Sequence, residues 1–207
     1  MYALIENNEI KKIYNKPRAL TIGDIQYPSN IFSLWSKEEK EAKGIYEVVF
    51  DNSNKKDEAY YINTNQSFAF AGGVATASFG TATAKRLNDE DAKDDDGNNL
   101  LDEDGNQVIN YGLKTEKKRV IKSQASGLLA PTDWYVIKAT DVESYSVPSA
   151  VTTFRADVRT KSNEMETAID NAADVDALAT LYAYVNTGTE ENPVMERPLG
   201  EWPELGV

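Results

Sequence analysis

The chain holds no cysteine and no histidine among its 207 residues. Without cysteine, neither a disulfide framework nor a thiolate metal site can form. The missing histidine excludes the usual imidazole general base, the Ser-His-Asp and Cys-His nucleophile systems and nearly all zinc sites. Paired carboxylates remain chemically available, since glycoside hydrolysis needs only two. No apolar run approaches the ~20 residues of a membrane span, and the first residues lack the charged-then-apolar layout of a signal peptide. Basic side chains are outnumbered, 22 Lys and Arg against 34 Asp and Glu, and the net charge of −12 disfavours nucleic acid as a partner, which needs a basic footprint. Hydrophobic residues make up 41% of the chain, enough to bury a core in one large domain or two small ones.

The first part of the chain reads as short strands. Tyr2, Leu4, Ile10 and Ile13 flank Asn7-Asn8, a hairpin-turn pair. Leu20, Ile22 and Ile25 around Gly23-Asp24 predict a second hairpin closed by Tyr27-Pro28. One short helix follows: Ser36 and Glu39 have capping-box spacing, Trp35 is placed as a staple, and Gly44 can terminate it. IYEVVFDN, a polar turn from Asp51 to Lys56 and EAYYINT predict two further strands, with the sheet-plus-helix unit ending near Thr64. Between Gln66 and Lys85, small residues, threonines, Phe68, Phe70 and Gly72-Gly73 predict two strands. They suit an exposed contact ribbon or an ordinary hairpin with a thin core. The glycines there do not form a phosphate loop, since no G-K-[ST] follows.

The strongest compositional feature is NDEDAKDDDGNNLLDEDGNQ, Asn88 to Gln107: nine acids against Lys93, or −8 of the chain's −12. Asp96-Gly97 and Asp104-Gly105 are turn signals. An EF-hand does not fit, because a glycine at loop position six puts Ala92 or Leu100 where an aspartate is required. The two remaining readings are a cation loop of another type and a solvated hairpin or flexible loop repelling like charge. From Leu113 a helical pattern resumes, with Ile121, Ala125, Leu128 and Leu129 on one side. Lys114, Lys117, Lys118, Arg119 and Lys122 form a basic surface, which could meet the acidic segment, meet a partner, or stay solvated.

The most distinctive stretch is LLAPTDWYVIK, Leu128 to Lys138. Ala130-Pro131 is expected to stop the incoming helix, with Thr132 as N-cap and Asp133 in the first turn of the next. Trp134 reads as a core anchor; if buried, its truncation to alanine would cost ~3–5 kcal/mol. After Pro148, Val151, Phe154, Val158, Met165, Ala168 and Ile169 recur at helical spacing, Asn171 ends the run, and Asp174 can cap a second helix bearing Val175, Leu178, Leu181, Tyr182 and Val185. The result is a helical hairpin whose stripes could form its own core or dock a partner helix. The tail carries Pro193, Pro198 and Pro203 and is expected to run extended, anchored by Trp202.

LLAPTDWYVIKATD, VPSAVTTFRADVRT and the closing WPELG resemble the C-terminal region of tail proteins of tailed bacteriophages, including tail-fibre assembly and tail assembly chaperone families. The matching positions are Leu128, Leu129, Thr132, Asp133, Trp134, Phe154, Arg155, Trp202 and Pro203. MYALIENNEIKKIY and YPSNIFSLWSKEE are similar to the N-terminal part of such proteins in marine phages, so the likeness touches about two-thirds of the chain.

Residues and resemblance together predict an α+β chain: a β-rich N-terminal domain (1–87), an acidic loop or hairpin (88–112), a helical C-terminal domain (113–187) and an extended tail (188–207). The resemblance implies a non-enzymatic component of the virion tail, made in the host cytoplasm and present in several copies, with tail, baseplate or fibre proteins as partners. It implies equally a chaperone that caps fibre tips. A calcium-dependent glycan binder or carboxylate hydrolase is the third reading. No catalytic, cofactor-binding or metal-ligating residue is assigned, no cofactor is expected, and neither nucleic acid nor membrane is expected as a partner. Trp134, Phe154, Arg155 and Trp202 are the interface candidates, with Asp133 or a partner's carboxylate as the counter-ion of Arg155.

Overall fold

A computed structural model describes residues 1–206. The chain is mixed α+β, with a β-rich N-terminal half and a helical C-terminal half. It folds as two compact units, Met1–Ala84 and one beginning at Lys85. Among the described residues no helix is long and apolar enough to cross a membrane.

The first unit comprises β1 (Tyr2–Glu6), β2 (Glu9–Tyr14), β3 (Leu20–Ile22), β4 (Ile25–Tyr27), α1 (Ile31–Leu34), α2 (Lys37–Glu41), β5 (Ile45–Asp51), β6 (Tyr61–Ile62), β7 (Ser67–Ala71), β8 (Val74–Ser78) and β9 (Thr83–Ala84). Asn7 and Asn8 both adopt positive φ, 53° and 64°, the conformation of a two-residue hairpin turn. The main sheet runs β2-β1-β5-β8-β7 and curls until its end strands come alongside one another. β1 is buried on both faces. Leu4 joins Tyr14, Leu20, Ile31, Phe32 and Ile45 on one side, while Ala3 and Ile5 join Val48, Ala75 and Ala77 on the other.

Several expectations change here. Two short helices replace one, because Ile31 and Phe32 nucleate α1 ahead of the Ser36–Glu39 capping box, which forms as expected. β5 is no hairpin partner of the following strand; it pairs antiparallel with β1 and parallel with β8, while β6 pairs with β9. The unit therefore continues to Ala84 rather than ending near Thr64. Of the two readings of Gln66 to Lys85, the structure favours the thin-cored hairpin. Phe68 and Phe70 pack on the core, and Ala75 and Ala77 keep it shallow.

The second unit comprises β10 (Glu90–Asp91), β11 (Ile109–Asn110), α3 (Leu113–Leu129), a 3₁₀ turn (Ala130–Thr132), α4 (Asp133–Asp141), α5 (Ser149–Asp170), α6 (Val175–Tyr182), β12 (Val185–Asn186) and β13 (Met195–Glu196). Val151, Phe154, Val158, Met165 and Ile169 make one buried stripe along α5. The principal partner of α5 is α3, which contributes Ile121 and Ala125; α6, capped by Asp174 onto the Ala177 amide, packs less extensively. The tail is not simply extended: β12 and β13 pair as a hairpin, and Leu199 is then buried with its amide donating to the Leu181 carbonyl.

The acidic segment is ordered by its own sequence. Asp94 Oδ1 accepts the amides of Asp96 (3.0 Å) and Asn98 (2.8 Å), and Asp102 Oδ1 accepts those of Asp104 (3.0 Å) and Asn106 (2.8 Å). These amides hold both carboxyls below the usual aspartate range, those of Asn98 and Asn106 having the largest effect. The two turns repeat D-x-D-G-N at a spacing of eight. Residues at that spacing link into a ring: the Ala92 amide donates to Val108 O (2.8 Å), Val108 to Leu100 O (2.8 Å), and Leu100 to Ala92 O (2.9 Å). Gln107 Nε2 shares its two N–H groups among the three carbonyls, Ala92 O (3.0 Å), Leu100 O (3.2 Å) and Val108 O (2.8 Å). A flexible loop is thus replaced by a closed turn pair. Among the described residues no group of three acidic side chains is placed to hold a metal ion.

The basic face of α3 turns mainly to α5 rather than to the acidic segment. Lys114 donates to the Asp170 carbonyl (2.9 Å), Lys118 pairs with the Asp170 carboxylate (2.7 Å) and Lys122 with Glu166 (3.3 Å). Cations thereby meet the negative end of α5. The exception is Asp89, which accepts from the Gly112 amide (2.8 Å) and the Thr115 hydroxyl (2.8 Å) at the start of α3.

Gly44 joins α2 to β5 at φ 74°, and a Cβ there would collide with the Ile5 carbonyl, whose own amide donates to Gly44 O (2.7 Å). Gly44→Ala is expected to destabilise the first unit by roughly 2 kcal/mol or more, read from urea unfolding. A second expectation concerns acid. The Gly112 amide, then the Thr115 hydroxyl, hold the Asp89 carboxyl below its ordinary value. A lowered folded-state pKa adds stability above the unfolded value and loses it as pH falls through the folded one. The stability difference between wild type and Asp89→Asn should therefore be largest near neutrality and shrink below about pH 4; a pH-independent difference would mean that the charge is irrelevant to the cap.

Candidate functional site

The end of α3 leaves backbone carbonyls without helical partners, and Arg155 from α5 reaches them. Its Nη1 donates to Leu129 O (3.0 Å) and Thr132 Oγ1 (2.5 Å) and pairs with Asp133 Oδ1 (2.8 Å). Thr132 Oγ1 in turn donates to Leu129 O (2.7 Å). The Arg155 side chain is only 12% exposed, whereas Asp133 is half exposed. A single cation thus engages the Leu129 carbonyl at the end of one helix and the first residue of the next; the dipole of α3 favours the cation at its C-terminus, and that of α4 favours the Asp133 carboxylate at its N-terminus.

Local details differ from the expectation. Ala130 keeps helical geometry before Pro131, and the chain tightens into a 3₁₀ turn rather than leaving the helical region. Thr132 is buried but caps nothing; its hydroxyl points back to α3.

Trp134 is the largest correction. It is 51% exposed, not a core anchor, and its ring lies against the neighbouring Tyr135 (centroids 3.8 Å apart). Helix α4 buries none of its residues: Ile137 is 61% and Val136 42% exposed. Nine residues are too few for an isolated helix to persist in water, so α4 depends on its fastening at Asp133.

Phe154 is buried with Ala125 and Val158, and Leu128, Leu129 and Trp202 pack on that cluster. Trp202 is half-buried and its indole N–H donates to Gln124 Oε1 (3.1 Å). Phe154 and Trp202 thus serve the inside of the unit, Arg155 the joint, and Trp134 the outside. A shallow groove of about 320 Å³ beside Trp202 holds Asp157, Glu164 and Glu201. Glu164 pairs with Lys161 (3.3 Å), and Glu201 with Arg197 (2.9 Å) and the Tyr184 hydroxyl (2.7 Å). Two of the three carboxylates are engaged in these contacts. Sequence reasoning missed the eight-residue repeat and the outward face of α4; the former was visible as D-x-D-G-N occurring twice.

Compared with known proteins, the chain matches no family model, no curated protein and no solved structure.

Arg155→Met keeps the stem but removes the donors, and is expected to cost about 2–3 kcal/mol. Trp134→Ala, at an exposed position, should cost less than ~1 kcal/mol. Urea denaturation of the two variants ranks them, and the reverse order would show that α4 packs inward in solution.

Proposed function

We propose that this protein is a non-enzymatic structural component of a tailed-bacteriophage virion, made in the host cytoplasm and acting in the tail, baseplate or fibre through protein–protein interfaces. One observation carries the reading. The positions that carry the resemblance to phage tail proteins are spread from Leu128 to Pro203, yet most of them meet in one small region. Leu129, Thr132 and Asp133 surround Arg155, while Phe154, Leu128 and Trp202 share the adjoining cluster. A motif read along the chain is therefore also a unit of structure, which supports its treatment as more than chance likeness. That unit holds out α4, whose exposed apolar side chains suit contact with another protein. The net charge of −12 fits a protein partner better than nucleic acid.

Quantitative mass spectrometry of purified particles, referenced to the major tail protein, tests the reading. A fixed stoichiometric copy number is expected. Absence from particles with co-purification alongside unassembled fibres would replace it with the fibre chaperone, and absence from both would end the phage reading.

A further inference from the structure

Helix α4 carries exposed apolar side chains and is fastened at its first residue, and the charges beside it indicate what covers it. Trp134, Val136 and Ile137 are exposed along the helix, and Val142 follows at its end. The charges of the segment divide into used and unused. Asp133 is paired with Arg155, and Lys138 lies over the rings of Tyr145 (4.3 Å) and Trp134 (5.9 Å). Asp141 and Glu143 make no ion pair among the described residues. They sit at the C-terminal end of α4, where the helix dipole adds negative potential. The uncovered face is therefore an apolar ridge ending in two carboxylates that make no ion pair, with Lys138 as the cation beside them.

We infer that α4 docks an amphipathic helix of a different protein, with apolar residues at i, i+3, i+4 spacing followed by lysines or arginines. This rests on the reading of α4 as the docking face and adds the chemistry of what it meets. The apolar ridge would lie against Trp134 and Ile137, and the cations would meet Asp141 and Glu143. A second copy fits less well. Every copy brings a charge of −12 and the same two carboxylates, so like charge would meet like at the end of the ridge.

The full chain can be titrated with an end-labelled 14-residue helix of leucine and lysine, leucines at i, i+3, i+4 and i+7, followed by fluorescence anisotropy. A counterpart with glutamate for every lysine serves as control. The lysine peptide should bind and the glutamate peptide should not. Ile137→Glu, at a solvent-facing position, should weaken binding tenfold or more. Asp141→Asn with Glu143→Gln should weaken it at least threefold and flatten its salt dependence, while Asp95→Asn with Glu103→Gln in the acidic repeat leaves it unchanged. No binding, equal binding of both peptides, indifference to Ile137→Glu, or loss that follows the Asp95 and Glu103 variant would each overturn the inference. So would concentration-dependent dimerisation of the chain alone that Ile137→Glu abolishes, because the occupant would then be a second copy. The two readings can fail separately. Peptide binding by a protein absent from particles retires the virion setting and keeps the docking chemistry, whereas presence in particles without peptide binding retires the chemistry alone.

Discussion

The guanidinium of Arg155 is the contact on which the C-terminal unit turns. A helix that ends inside a protein must find partners for its last carbonyls. Here the partner comes from another helix, 26 residues further along the chain, at Leu129 O. The same nitrogen holds Asp133, the first residue of α4. Since α4 fully buries no side chain of its own, the polar contact at Asp133 is a principal hold on it. That is an unusual division of labour. α3 and α5 meet through an apolar stripe, and the helix that leaves them is fastened at its start by one nearly buried charge.

The N-terminal unit solves a different problem. Its central strand β1 supplies both cores, with Leu4 facing one and Ala3 and Ile5 the other. The side with Ala75 and Ala77 is thin, and small side chains allow the sheet to curl tightly over it. The other side is filled by rings, with Phe32 against Tyr2 (4.6 Å) and Trp35 edge-on to Tyr27 (5.4 Å). A strand buried on both faces is commoner where helices cover a parallel sheet. Here the curl and the β3-β4 and α1 segments supply the cover.

What could be read from the sequence was chemistry acting over a few residues. Asn7-Asn8, the Ser36–Glu39 box, Gly72-Gly73 and the Asp174 cap each depend on a side chain or φ preference within one turn, and each is found in place. What could not be read was distant pairing. Nothing local says that β5 lies beside β8, or that the lysines of α3 answer to Asp170 and Glu166 rather than to the acidic segment. Trp134 shows the limit most clearly. Its size argued for burial, but side-chain size does not report which way a nine-residue helix faces. The candidate residues divided accordingly: Phe154 and Trp202 lie in or against a core, Arg155 at a joint, and Trp134 in solvent.

The ring of Ala92, Leu100 and Val108 has a consequence of its own. A hairpin ladder has an open end and frays from it, one rung at a time. Three links joined head to tail have no such end, and one glutamine amide ties all three acceptors together. Loosening any link removes support from the other two. The segment with the highest charge density in the chain therefore opens as a whole or stays shut, and an inserted fourth stride of eight residues would find the circle already complete.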